Sequence, residues 1–133
     1  MKIVFFGVGA VCSVMATLLD ELSNKSKQKD INFVFVVRNI KKAQGHFFKN
    51  SNILNKSDFL EIKHFEEIFE DSKKYEKYLQ NSDIFINSST PSFNLPIMNL
   101  ALKYNTNYAD LASDIYKDEI ISTLKFDQQI LEN

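Results

Sequence analysis

The strongest constraint on the fold comes from the first 37 residues, where two buried-strand patterns flank one helix pattern. Ile3 to Phe6 is a continuous apolar run rich in β-branched and aromatic residues, as expected of a strand covered on both faces. INFVFVV, Ile31 to Val37, is a second such run. Between them Val11, Val14, Met15, Leu18 and Leu22 recur at helical spacing, which predicts an amphipathic helix with that stripe turned to the core. Strand, helix and strand at this separation make a βαβ unit, which demands parallel pairing and a right-handed crossover.

The alternation continues along the chain. Ile40, Ala43, Phe47 and Phe48 fit a second helix face, weakened at its middle by Gly45. Phe59 to Ile62 predicts a third strand, and Phe65, Ile68, Phe69, Tyr75 and Leu79 predict one long helix. DIFIN, Asp83 to Asn87, is a fourth strand. Asn94 to Tyr104 is a helix with Pro96 near its start, Asn107 to Ala112 is a fifth strand, and Ile115 to Leu131 is mostly helical. The expected fold class is α/β: a doubly wound parallel sheet, Rossmann-like, in three α/β/α layers.

At 133 residues the chain is one domain, spanning 1–133, and short for a two-domain enzyme. A net charge of −1 supplies no long-range field that would draw nucleic acid or an anionic membrane. No run approaches the ~20 apolar residues of a membrane span, and the N-terminal run is too short for a signal segment. With Cys12 as its one cysteine the chain has no internal disulfide, and the expected location is cytoplasmic. His46 and His64 stand without nearby cysteines or paired carboxylates, so no metal site is expected.

Chemistry is carried first by GVGAVC, Gly7 to Cys12, which sits directly between a buried strand and an amphipathic helix. In that context Gly7 permits a sharp turn, Gly9 leaves room for a pyrophosphate, and the amides of Ala10 and Val11 open the helix toward phosphate. The bland alternative is a turn that binds nothing; strand, spacing and helix together favour a nucleotide loop. Cys12 replaces the usual third glycine, and within an apolar helix it reads as a small filler rather than a reactive thiol.

The second strand then discriminates between cofactors. A site for unphosphorylated NAD ends this strand on an acid that accepts from the ribose hydroxyls. Here Val37 holds that place, Arg38 follows, and no acid occurs between Asp30 and Asp58. Arg38 is the one arginine beside fifteen lysines, and Lys41 and Lys42 add charge in the next turn. A guanidinium beside a 2′-phosphate makes paired, charge-assisted hydrogen bonds, so NADP is expected over NAD.

The block INSSTPSFNLPIMNLALKYNTNYADLAS, Ile86 to Ser113, resembles the NADP-binding domain of the saccharopine dehydrogenase family. The resemblance extends from GVGAVC through VVRNIKKAQ to YADLAS and so covers essentially the whole chain. It implies that Gly7, Gly9, Ala10 and Val11 hold the pyrophosphate and that Arg38 and Asn39 meet the adenosine ribose. Ser88, Ser89, Thr90 and Pro91 would form the wall toward the nicotinamide. Asp110 would lie near the reacting end, or else cap the next helix. The chain departs from the family at IKHF, Ile62 to Phe65, where an acid near the adenine is common; His64 could face the adenine instead, but a surface residue is the favoured reading.

Members of the family are much longer. The chain ends at DQQILEN, so the expectation is the cofactor-binding, N-terminal part of a longer oxidoreductase acting on an amino-acid-derived imine or secondary amine. Such a part would bind the dinucleotide without turning over substrate alone. Ile120, Ile121, Leu124, Ile130 and Leu131 crowd together and predict self-association into a homo-oligomer. The rival function is a stand-alone nucleotide-sensing regulatory domain, which usually carries the acid missing after the second strand. A doubly wound interaction module with a vestigial loop is a third reading, which requires that no nucleotide binds.

Overall fold

A computed structural model describes residues 1–27, 30–47 and 49–111. Five strands, β1 (Lys2–Phe6), β2 (Asn32–Val37), β3 (Ser57–Glu61), β4 (Ile84–Asn87) and β5 (Asn107–Asp110), form one sheet in the order β3-β2-β1-β4-β5. Every pairing is parallel. Lys2 to Phe6 faces Asn32 to Val36 on one side, and Ile3 to Phe6 faces Ile84 to Asn87 on the other. The chain leaves β1 toward β2 and returns after β3 to β4, so the strand order reverses between β1 and β4.

Each central strand is buried on both faces because helices cover both. Val4, Phe6, Val34, Val36, Leu60 and Phe85 face one layer, built from α4 (Glu66–Glu70), α5 (Glu76–Leu79) and α6 (Asn94–Lys103). Ile3, Phe5, Phe33, Phe35, Val37 and Ile86 face the other, built from α1 (Ala10–Lys25), α2 (Ile40–Gly45) and α3 (Ser51–Asn55). On this second face Phe5, Phe33, Phe35, Phe47 and Phe59 form a continuous aromatic layer with ring centroids 5.1–6.2 Å apart. Such pairs add to the burial of large apolar area.

That layer explains a correction. The expected inward stripe of α1 is turned outward: Val11, Val14, Leu18 and Leu22 are 66%, 59%, 52% and 63% exposed. The helix buries Cys12, Ala16, Asp20 and Ser23 instead, with Met15 and Leu19 at the edge. Phenylalanine rings already fill the space above the sheet, so α1 approaches on its small side chains. Asp20 is buried on this face and pairs with Lys56 at the end of α3.

Two further elements depart from the sequence expectation. The single helix over Phe65 to Leu79 is broken into α4, a 3-10 turn at Ser72–Tyr75 and α5. Its apolar residues still face the core, because Ile68 and Leu79 are fully buried. Asn50 and Ser51 open an unanticipated helix, α3, whose Ile53 amide donates to Asn50 Oδ1 at 3.2 Å. Ala112, the end of the expected fifth strand, and the segment Ile115 to Leu131 with its apolar cluster lie outside the described residues, as does Phe48. No helix among the described residues is long and apolar enough to cross a membrane.

Candidate functional site

Parallel α/β sheets gather ligands at the carboxyl ends of their strands, where the strand order reverses. Here that point lies between the ends of β1 and β4, and Gly7 occupies it. Gly7 has a φ of +91°, a conformation that L side chains rarely adopt. Its amide donates to Val36 O at 2.8 Å, and its carbonyl accepts from Ser88 Oγ at 2.5 Å. A Cβ on Gly7 would stand 2.9 Å from Ser89 Cβ. Gly7 therefore joins the two strand ends.

Gly9 is different in kind. Its φ of −139° is open to any residue, and nothing lies within 4 Å of where its Cβ would be. It is the N-cap of α1 without a side-chain acceptor, and the first turn carries no acidic residue. The opening amides of this 16-residue helix, those of Ala10 and Val11 among them, are left for solvent or an anion.

A cleft of about 470 Å³ runs across these strand ends, a volume typical of small-molecule sites. Gly7, Val8 and Gly9 line it from β1, Val37, Arg38, Asn39, Lys42 and Ala43 from the end of β2 and α2, and Ser88 and Ser89 from the end of β4. Six of the ten expected site residues thus meet in one cleft. Ala10 and Val11 follow in the first turn of α1, outside the lining. Thr90 and Pro91 also lie outside it, where Thr90 precedes a 3-10 turn at Pro91–Phe93. A larger hollow, about 1070 Å³, is lined by Met1, Leu19, Ile31 and Asp83 at the opposite end of the strands, away from the glycine loop.

Arg38 is exposed, with its guanidinium 6.0 Å from the centroid of the Phe65 ring. Phe65 is itself buried and lines the cleft, a role its apolar periodicity did not distinguish from core filling. Among the described residues no carboxylate is ion-paired with Arg38. Asn39 caps α2, its Oδ1 accepting from the Lys42 amide at 2.8 Å. Lys42 lines the cleft, whereas Lys41 does not.

The wall at the end of β4 is held by a buried amide that the sequence reading did not single out. Asn87, 2% exposed, accepts at Oδ1 from the Ser89 amide (3.0 Å) and from Ser89 Oγ (2.6 Å). Its Nδ2 donates to Thr90 O (3.1 Å) and to Asn94 Oδ1 (2.6 Å), which also accepts from the Tyr108 hydroxyl (2.9 Å). Thr90 therefore contributes to the wall through its backbone. A polar residue ending an otherwise apolar strand was the available signal.

Cys12 is buried beneath the loop, and burial pushes its thiol up to about 12 against the opposing pull of hydrogen bonds with Ser88 and the Gly9 backbone. It is a filler, not a nucleophile. His64 is exposed, as is Asp110, which is register partner to Asn87. No cluster of metal-ligating side chains occurs among the described residues.

An anionic dinucleotide fits these features: uncapped amides at α1, open space at Gly9 and, at Arg38, a cation without an ion pair among the described residues. No curated protein matches the chain in sequence. Among solved structures it is similar to the apo, histidine-tagged saccharopine dehydrogenase (L-Glu forming) of Saccharomyces cerevisiae, with a TM-score of 0.61 at 18% identity. That match covers 90% of this chain and 23% of the yeast chain, and it shows a shared fold. The family model for the saccharopine dehydrogenase NADP binding domain matches residues 3–129. The chain belongs to that family, whose domain of this kind binds NADP.

Proposed function

We propose that this chain is the NADP-binding part of a larger oxidoreductase that acts on an amino-acid-derived imine or secondary amine. The observation that carries the reading is the cleft itself, which sets uncapped helix amides between a cation at the end of β2 and a hydroxyl-bearing wall at the end of β4. Gly7, Gly9, Ala10 and Val11 hold the pyrophosphate, Gly9 by leaving space and the other loop residues through backbone geometry. Arg38 and Asn39 take the adenosine ribose, with the Arg38 guanidinium on the 2′-phosphate. Ser88, Ser89, Thr90 and Pro91 form the wall toward the nicotinamide, in which Asn87 holds Ser89 and the Thr90 carbonyl.

When bound, the cofactor supplies or accepts a hydride. The residues of this chain named above orient it. Titration of the full chain with NADPH, followed by calorimetry or by nicotinamide fluorescence, tests the reading. Saturable binding with a weaker response to NADH is expected. A chain that binds neither nucleotide is not a cofactor domain.

A further inference from the structure

The sequence places no acid near Arg38, but the fold does. Glu61 ends β3 as the register partner of Val37, the last residue of β2, and the Ile62 amide donates to Val37 O at 2.8 Å. From there the Glu61 carboxylate accepts a hydrogen bond from the Ile40 amide at 2.8 Å. Ile40 is two residues beyond Arg38, and Arg38, Asn39 and Lys42 all line the cleft. The carboxylate thus lies against the turn that carries the cations, without pairing with Arg38.

We propose that Glu61 is a specificity-determining residue that limits the preference for the 2′-phosphorylated nucleotide. This rests on the NADP reading of the cleft. The physical reason is charge. Arg38 and Lys42 attract a doubly charged 2′-phosphate, and a carboxylate bound to the same turn repels it while acting little on a plain ribose. Both sites are solvent-exposed, so the repulsion is screened and its effect is modest. The hydrogen bond to Ile40 keeps the carboxylate from swinging away. Glu61 thereby supplies, from the third strand, the negative charge that the second strand lacks.

The test compares 2′-phospho-ADP-ribose with ADP-ribose, which share the adenosine end and lack the nicotinamide, by calorimetric titration into the full chain. Glu61→Gln keeps an acceptor for the Ile40 amide and removes the charge. It is expected to tighten binding of the phosphorylated ligand by roughly three- to tenfold while leaving ADP-ribose unchanged, with the gain shrinking at high salt. Glu61→Asp, which retains the charge, should keep the parent ratio of affinities. Thermal unfolding of each variant without ligand checks that the fold is intact. An unchanged ratio in Glu61→Gln, or a parallel change for both ligands, overturns the inference while the cofactor reading stands. A parent chain that binds neither ligand overturns both.

Discussion

Gly7 and Ser89, 82 positions apart in the chain, touch so closely that a Cβ on the glycine would stand 2.9 Å from the Cβ of the serine. The contact welds the end of β1 to the end of β4, where the strand order reverses and the cleft opens. Gly7 is therefore required by the fold itself, whereas Gly9 has no neighbour at its Cβ position and is required only by the ligand role proposed for it.

Gly7→Ala is expected to destabilise the chain by about 2–4 kcal/mol, combining a strained positive φ with overpacking against Ser89. Thermal or urea unfolding measures it. A melting temperature equal to the parent's would mean that the β1–β4 junction yields freely.

Gly9→Val should change stability by about 1 kcal/mol or less, since its φ suits any residue and no described residue lies within 4 Å of the new Cβ. The same substitution should abolish NADPH binding, because the side chain fills the space left for the pyrophosphate. Undiminished binding would reduce the loop to a turn.

Arg38→Ala should remove most of the preference for NADPH over NADH. Charge-assisted hydrogen bonds to the 2′-phosphate are worth about 1.5–3 kcal/mol, or about ten- to hundredfold in affinity. The NADH affinity should stay near that of the parent. Equal affinities for both nucleotides in the parent chain would refute the role.

Asn87→Ala should cost about 2–4 kcal/mol, because it deprives the Ser89 amide and the Asn94 side chain of buried partners. Nucleotide binding should weaken as well, as the Ser88–Ser89 wall loosens. A variant with parent-like stability and affinity would show that the turn holds without its amide.

Cys12 should resist iodoacetamide at pH 8 in the native chain and react promptly in denaturant, given its burial and its raised thiol pKa of about 12. Its ionisation is suppressed in the fold relative to a value of 9.0 outside it. The unfolded chain then loses the proton first as pH rises, so this group's contribution to stability falls above pH 9 and continues to fall toward 12. Fast native labelling would contradict the burial.

The amino-acid sequence by itself determined the strands, the parallel α/β class, the glycine loop and the lone arginine after β2. These signals are local: continuous apolar runs, helical spacing, G-x-G spacing and the charge of adjacent residues all act within a few positions. Only the tertiary structure decided which side of α1 is buried. Two stripes of that helix compete for the sheet, and the phenylalanine layer beneath it selects the one with the smaller side chains. Tertiary structure also decided why Gly7 is a glycine, since Ser89 reaches it through the pairing of β1 with β4. And it brought Glu61 to the turn that bears Arg38, through the register of β2 with β3. A charge 23 positions away cannot be read as a neighbour until strand pairing makes it one.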